Sequence, residues 1–568
     1  MRFAVGVLLP LCLSAAVGPV VVSEAPSSEA LHRAGLLAMP DGSVELFFLR
    51  DGARTREIAS RKSADKGRTW GEPKTVVELP GGLVPLWKPG NWNTLRPLLD
   101  RSGELHFFLM RVRQWGPRIG IDRFLDVWYL GSRQGRKRWT TPKLLWEGYV
   151  GDMRSAIELK SGRLLFPFHF HEPSRDNHPT GDAIVTAGYS DDGGDSWKIS
   201  PARLTAPLDQ TYRGSRHGAV EPVVIELKDG WVWMLIRTQT GRLWESFSRD
   251  GADWTEPRPS RFASSDSPAA FVRLRDGRLV VFWNNCQNAP DVDGSGVYTT
   301  RDTLSAAISP DDGLTWLGYR EVYRDPRRNE PPPKTGDRGT AYPDAVGTAD
   351  SKILLITGHG EGRTKVLEID PDWLLETAQQ DDFSSGIDAW SVFKHIGPAE
   401  RYWRSRVQGA QRMAHPERAG AHALYLRRPP GEPSDGAVWS FPYGRKGKLT
   451  VRLKLMRGFQ GASLALADRF FDPIDTAGER DALFDVRITS SGQVSTGPEI
   501  AKDTWHTFDI DWDGLKGWAV VHIDGKEAAI VPQRNRVIDG ACYLRLHSLA
   551  QAPDSGFLVE SVAVRVEP

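Results

Sequence analysis

An eight-residue pattern returns along this chain, and it limits the fold more than any other feature. Ser63 to Trp70 has the form S-x-D-x-G-x-T-W, Ser190 to Trp197 repeats it with Ser for Thr, and Ser309 to Trp316 repeats it in full. Two worn copies lie between them, Ser132 to Trp139 and the one-residue-shorter Ser248 to Trp254. An Asp and a Gly ahead of Thr-Trp make a tight turn capped by side chains, with the Trp packing back between strands. One copy would mean little, but five mark a repeat architecture.

A second series alternates with the first. Turns at Asp41-Gly42, Ser102-Gly103, Ser161-Gly162, Asp229-Gly230, Asp276-Gly277 and Asp350-Ser351 each precede an apolar run such as Leu279 to Phe282. These read as hairpins joining two buried strands. Six hairpins, with a box after each of the first five, predict six four-stranded blades of a β-propeller over residues 30–376. The sixth blade has no box, as expected where a ring closes on its own ends. From Gln379 the pattern changes. Asp381 to Gly386 reads as a linker, and runs such as Leu449 to Leu455, Trp505 to Asp511, Trp518 to Ile523 and Phe557 to Val566 predict a β-sandwich over 381–568. The fold class is all-β, a six-bladed propeller followed by a sandwich of jelly-roll type.

Charge and termini bound the functions. With 73 Lys+Arg against 72 Asp+Glu among 568 residues, the chain lacks the basic balance of a nucleic-acid binder. Three cysteines exclude a disulfide scaffold and a Cys-based zinc site. Met1-Arg2-Phe3 and the apolar run Ala4 to Ala16 read as a signal peptide ending by residue 23, with cleavage between Ala16 and Ser23. The run is too short for a membrane span, and no later segment could be one. The expected product is a secreted or periplasmic protein.

In a propeller the innermost strand of every blade starts at one rim of the central channel. Those starts are Arg33, Arg96-Pro97, Arg154-Ser155, Glu221-Pro222, Ser267-Pro268 and Tyr342-Pro343. The second strands return to the same rim and end at Arg50, Arg111, His169, Arg237, Asn284 and His359, and Arg301 opens the next strand of the fifth blade. Any one of these residues alone is more often a paired surface or core residue. Together they gather arginines around one glutamate and one tyrosine. Half-buried guanidiniums are costly unless anions satisfy them, and their planar forks suit carboxylates and sulfates. The ligand is expected to be anionic. No cofactor is implied, and His169-Phe170-His171-Glu172 reads as polar residues at a strand end, so no metal is assigned.

With these residues in view, the propeller resembles the sialidase (neuraminidase) superfamily, whose Asp boxes the repeats resemble, over roughly residues 30–375. Glu221-Pro222 through Met234-Leu235-Ile236-Arg237 is similar to the segment of that family's catalytic glutamate and second triad arginine. Thr300 to Leu304 resembles the third-arginine segment, Ala341-Tyr342-Pro343-Asp344 that of the nucleophilic tyrosine, and Arg33 and Arg50 the positions of two substrate-contacting arginines. The C-terminal unit Trp505 to Trp512, then Ile523 to Lys526, resembles concanavalin-like jelly rolls. The resemblance implies a Tyr342 nucleophile assisted by Glu221, a type of glycosidase outside the two-carboxylate scheme, with Arg33, Arg237 and Arg301 holding the substrate carboxylate. The family's acid/base aspartate would lie in the loop after Arg50, where this chain offers Asp51 or Glu57. Arg96-Pro97 stands where many relatives have Asp-Pro and adds a positive charge. The leading expectation is an exo-glycosidase of sialidase type that removes sialic acid or a similar anionic sugar from a glycan or glycoconjugate. A polysaccharide lyase, with Tyr342, His169 or His217 moving protons, or another glycosidase, either one acting on uronic-acid or sulfated glycans, and a non-catalytic propeller that binds anionic glycans remain alternatives.

Overall fold

The computed structural model describes residues 18–24, 34–174, 178–208, 218–287, 301–331, 338–357, 365–396, 405–535 and 540–567. Almost every element is a strand. Blade 1 is formed in chain order by Gly35–Ala38, Val44–Asp51, Arg56–Ser63 and Lys74–Glu78, all antiparallel. Blade 4 (Val220–Glu226, Val232–Arg237, Arg242–Ser248, Arg258–Ala263) and blade 5 (Ala270–Arg273, Leu279–Trp283, Thr303–Ser309, Leu317–Arg324) repeat that order. Blades 2 and 3 are fused into one sheet. Tyr149–Val150 joins them, pairing parallel with Phe124–Arg133 and antiparallel with Leu164–Glu172.

Blade 6 takes its inner three strands, Asp344–Gly347, Ile353–Thr357 and Lys365–Ile369, from the end of the propeller, and its fourth, Val20–Glu24, from the start of the chain. By sequence, residues 1–23 are expected to form the leader and the propeller to begin at 30. The strand corrects that boundary: Val20–Glu24 alternates too weakly to read as a strand alone, and takes its form from pairing with Lys365–Ile369.

Strand periodicity explains why each blade is apolar on both faces. In Leu279–Trp283, the side chains of Leu279, Val281 and Trp283 pack toward blade 4, while Val280 and Phe282 pack toward blade 6. Each blade-to-blade contact therefore has its own core, such as Phe47 with Phe107 between blades 1 and 2 and Phe108 with Phe166 between blades 2 and 3.

The boxes rivet these contacts. In the first, Asp65 Oδ1 accepts from Ser63 Oγ at 2.8 Å and from Thr69 N at 2.8 Å, and Ser63 Oγ accepts from Gly67 N at 2.7 Å. The boxes at Ser190 and Ser309 repeat the pattern. Gly67 has φ +80°, and a Cβ there would lie 2.8 Å from Val366 of blade 6, so the position needs glycine on two counts. The worn copy at Ser132 has no aspartate of its own. Glu104, from the preceding hairpin, supplies the carboxylate, accepting from Ser132 Oγ, from Gly135 N at 2.7 Å and from Arg136 N at 3.3 Å.

The C-terminal sandwich packs one sheet built around Lys446–Leu455, Trp505–Asp513, Trp518–Ile523 and Phe557–Glu567 against a second containing Gly436–Gly444, Ala541–Ser548, Gly461–Ala467 and Phe484–Thr489. Ala378–Asp381, just ahead of the expected boundary at 381, pairs with Phe557–Glu567 and so already belongs to this sandwich. The sandwich also docks on blade 5. Gln287 N donates to Phe470 O at 2.8 Å and Phe470 N to Asn285 O at 2.9 Å, and one apolar cluster holds Trp283 and Tyr319 together with Tyr443, Phe470 and Tyr543. Cys286 and Cys542 are buried there as free thiols. Among the described residues no helix is long and apolar enough to cross a membrane.

Candidate active site

The rim cluster forms around a tyrosine and a glutamate brought together by two X-Pro strand starts. Tyr342 donates its hydroxyl hydrogen to Glu221 Oε1 at 2.9 Å. Arg237 Nη1 joins the pair, donating to Glu221 Oε2 at 2.6 Å and to the Tyr342 oxygen at 3.0 Å. Both Glu221 (φ +45°) and Tyr342 (φ +58°) sit in the left-handed region although each precedes a proline, which favours extended backbone. Such strain persists only where the surroundings enforce it, and it gathers at functional sites.

Arginines enclose the ring. The guanidinium carbon of Arg154 lies 5.0 Å from the Tyr342 ring centre and that of Arg301 5.4 Å. Asp266, which the sequence reading passed over, orients two of the arginines. Its Oδ1 accepts from Arg237 Nε at 2.6 Å, and its backbone oxygen accepts from Arg301 Nε at 3.2 Å and Nη2 at 2.7 Å. Arg237 Nη2 is buried without a hydrogen-bond partner among the described residues, so one donor stays available to a ligand anion. Burial would push the Glu221 carboxyl up, but Arg237, Arg154 and Arg301 outweigh it and hold it below the usual glutamate value. His169 Nδ1 accepts the Glu221 N–H at 3.0 Å and so carries its ring proton, when neutral, on Nε2.

Glu221, Arg237, Arg301 and Tyr342 thus meet. Arg96 lies beside them, but its added charge is matched: Nη1 donates to Asp344 Oδ1 at 3.0 Å, and Asp344 Oδ2 also accepts from Leu36 N at 2.8 Å. Arg50 and Asp51 are held elsewhere. Arg50 binds Glu57 at 2.7 Å and Thr75 at 2.9 Å on the outer strands of blade 1, and Asp51 pairs with Arg56 with its side chain 63% exposed. At the end of a strand, alternation and the local ion partners decide where a side chain goes. Arg33, His217 and His359 lie outside the described residues.

A family model described as a BNR repeat-like domain matches residues 49–355, more than half of the chain. The chain belongs to the BNR repeat-like family. The matched stretch takes in most of the propeller, including all five boxes and four of the site residues that meet there. No curated protein matches this BNR repeat-like chain in sequence. Solved structures similar to it include a Trypanosoma rangeli sialidase, at 14% identity over 94% of this chain and 91% of that one with a TM-score of 0.39. They also include the Hadza microbial sialidase Hz136, at 16% identity over 60% and 66% with a TM-score of 0.42. A third is the NanB sialidase of Streptococcus pneumoniae, at 14% identity over 62% and 71% with a TM-score of 0.42.

Proposed function

We propose that the protein is an exo-glycosidase of sialidase type that removes a terminal carboxylate-bearing sugar, sialic acid or a close analogue, from glycans. One observation carries the reading: the Tyr342 hydroxyl is hydrogen-bonded at once to a carboxylate and a guanidinium, Glu221 and Arg237, in a strained and buried setting. A phenol is a poor nucleophile until a base takes its proton. Glu221, held ionised by its arginines, is placed to do so. A neutral phenol also approaches the anomeric carbon of an anionic sugar without the repulsion a carboxylate would meet. Arg237 and Arg301, oriented by Asp266, hold the sugar carboxylate beside that carbon. The N-terminal run supports export of the chain, with cleavage ahead of Val20 so that the sixth blade keeps its fourth strand.

The test is release of 4-methylumbelliferone from its α-sialoside by the full-length protein, with Tyr342→Phe and Glu221→Gln in parallel. The expected result is turnover by the native protein and a loss of about 1000-fold or more in kcat for Tyr342→Phe, with unchanged thermal unfolding. A Tyr342→Phe variant as active as the native protein would reject the tyrosine mechanism. An unsaturated, ultraviolet-absorbing product from a uronic-acid glycan would place the chain among lyases instead.

A further inference from the structure

Departure of a sugar alcohol requires a proton on the glycosidic oxygen, and the loop after Arg50 does not bring one to the cluster. Asp51 is exposed and paired with Arg56, and Glu57 is bound by Arg50 and Thr75. Another carboxyl is already there. Asp152 follows Tyr149–Val150 at the entry to blade 3, its side chain only 12% exposed. Its Oδ2 accepts from Arg154 Nη1 at 3.0 Å, while its Oδ1 is buried without a partner among the described residues. Arg154 lies over the Tyr342 ring and donates from Nη2 to Pro343 O at 3.0 Å, so one guanidinium separates this carboxyl from the nucleophile. Gly151 makes the placement possible: a Cβ there would lie 2.2 Å from the ring of His169, the residue that holds the Glu221 backbone.

We propose that Asp152 is the general acid and base of the reaction, an assignment that rests on the sialidase-type reading above. In the first half, the Asp152 carboxyl proton passes to the glycosidic oxygen as its bond to the anomeric carbon breaks. The Tyr342 oxygen forms the new bond to that carbon, and the phenol proton passes to Glu221. In the second half a water oxygen attacks the anomeric carbon and gives a proton to Asp152, while Tyr342 leaves and recovers its proton from Glu221. One water is consumed and every proton returns to its starting group.

The charges facing Asp152 suit it to this task. Burial pushes its carboxyl up, Arg154 and Arg96 pull it down, Glu221 pushes it the same way as burial, and the balance lies at about 6. Glu221 is held the other way, so the cluster contains one carboxyl that keeps its proton up to about pH 6 and one that gives its proton up at lower pH. Environments that split two carboxyls in this way assign the acid and the base.

Asp152 could instead serve only to balance the charge of Arg154, and leaving-group chemistry separates the two roles. The full-length protein and its Asp152→Asn, Asp51→Asn and Tyr342→Phe variants are assayed on the 4-methylumbelliferyl sialoside, whose phenol departs unaided, and on sialyllactose, whose alcohol does not. Asp152→Asn is expected to lose about 100-fold or more in kcat on sialyllactose and less than about 10-fold on the aryl sialoside. It should also lose the fall in native activity as pH rises through about 6, where an acid with that pKa gives up its proton. Asp51→Asn is expected to match the native protein on both substrates. Equal losses of Asp152→Asn on both substrates with an unchanged pH profile overturn the proposal, as does a leaving-group-dependent loss in Asp51→Asn. Full activity of Tyr342→Phe, or no turnover by the native protein, instead defeats the underlying reading. Independently of turnover, pH-difference infrared spectra of the native protein against Asp152→Asn test the protonation that the acid role requires. A carboxylic acid band persisting to about pH 6 supports an acid at this position, and a carboxylate already ionised by pH 5 overturns it.

Discussion

At the residue scale, the site depends on residues that touch no substrate. Asp266 fixes Arg237 through its side chain and Arg301 through its backbone, and only the first link can be removed by substitution. Asp266→Asn is therefore expected to lower kcat/KM on the 4-methylumbelliferyl sialoside by about 10- to 100-fold, mostly in KM, since a misplaced arginine weakens the hold on the sugar carboxylate. Thermal unfolding and the sialoside titration of this variant, measured together, check it. Tyr342, Glu221, Arg237 and Arg301 were legible in the sequence because strand starts and ends converge in a propeller whatever the details of the loops. Asp266 and Asp152 were not. Each is a lone aspartate in a connection, next to Ser267-Pro268 and two residues ahead of Arg154, and neither position has a spacing that signals its role. Arg50 and Asp51 lie at the end of the strand the sequence pointed to, where Glu57, Thr75 and Arg56 hold their side chains.

At the element scale, the blades hold through their turns as well as through the cores between their strands. The box at Ser132 shows that the turn needs a carboxylate in its centre and not a carboxylate at one chosen position. Glu104→Ala removes the acceptor of Ser132 Oγ and of two backbone N–H groups, and is expected to cost about 1–3 kcal/mol in urea unfolding. Adding an aspartate to that box, as Gln134→Asp in the Glu104→Ala background, should restore part of the loss. The number of blades could be read from the alternation of hairpins and boxes, because both report local geometry. The fourth strand of blade 6 could not, because its partner lies at the far end of the propeller. Deleting residues 1–24 is expected to lower stability by about 2–4 kcal/mol, the worth of the ladder Val20–Glu24 forms with Lys365–Ile369, read by chemical denaturation against the chain cut before Val20.

At the scale of the whole molecule, the sandwich is built into the rim that carries the candidate site. Arg406 binds Asp302 with both ends of its guanidinium across the contact with blade 5, and Asp302 directly follows Arg301. Both side chains are buried. Arg406→Ala leaves Asp302 as a buried charge without its partner and is expected to cost about 3–5 kcal/mol, with weakened sialoside binding through Arg301, measured by calorimetric unfolding and KM. The strand runs after Gln379 predict a sandwich, but nothing in those strands announces a shared core. Tyr443, Phe470 and Tyr543 read as ordinary sandwich residues until Trp283 and Tyr319 are seen against them.

Closure of the ring by Val20–Glu24 also fixes an order of events. The propeller strand that comes first in chain order pairs with the one that comes last, so the circle cannot shut until blade 6 exists. Such distant pairing is slow to form because a long loop must close before it brings any contact. Until then Lys365–Ile369 presents an open edge, a template for a strand of any other chain. The short N-terminal strand is thus a guard against misassembly as well as a part of the ring, and its loss should show first as aggregation during refolding.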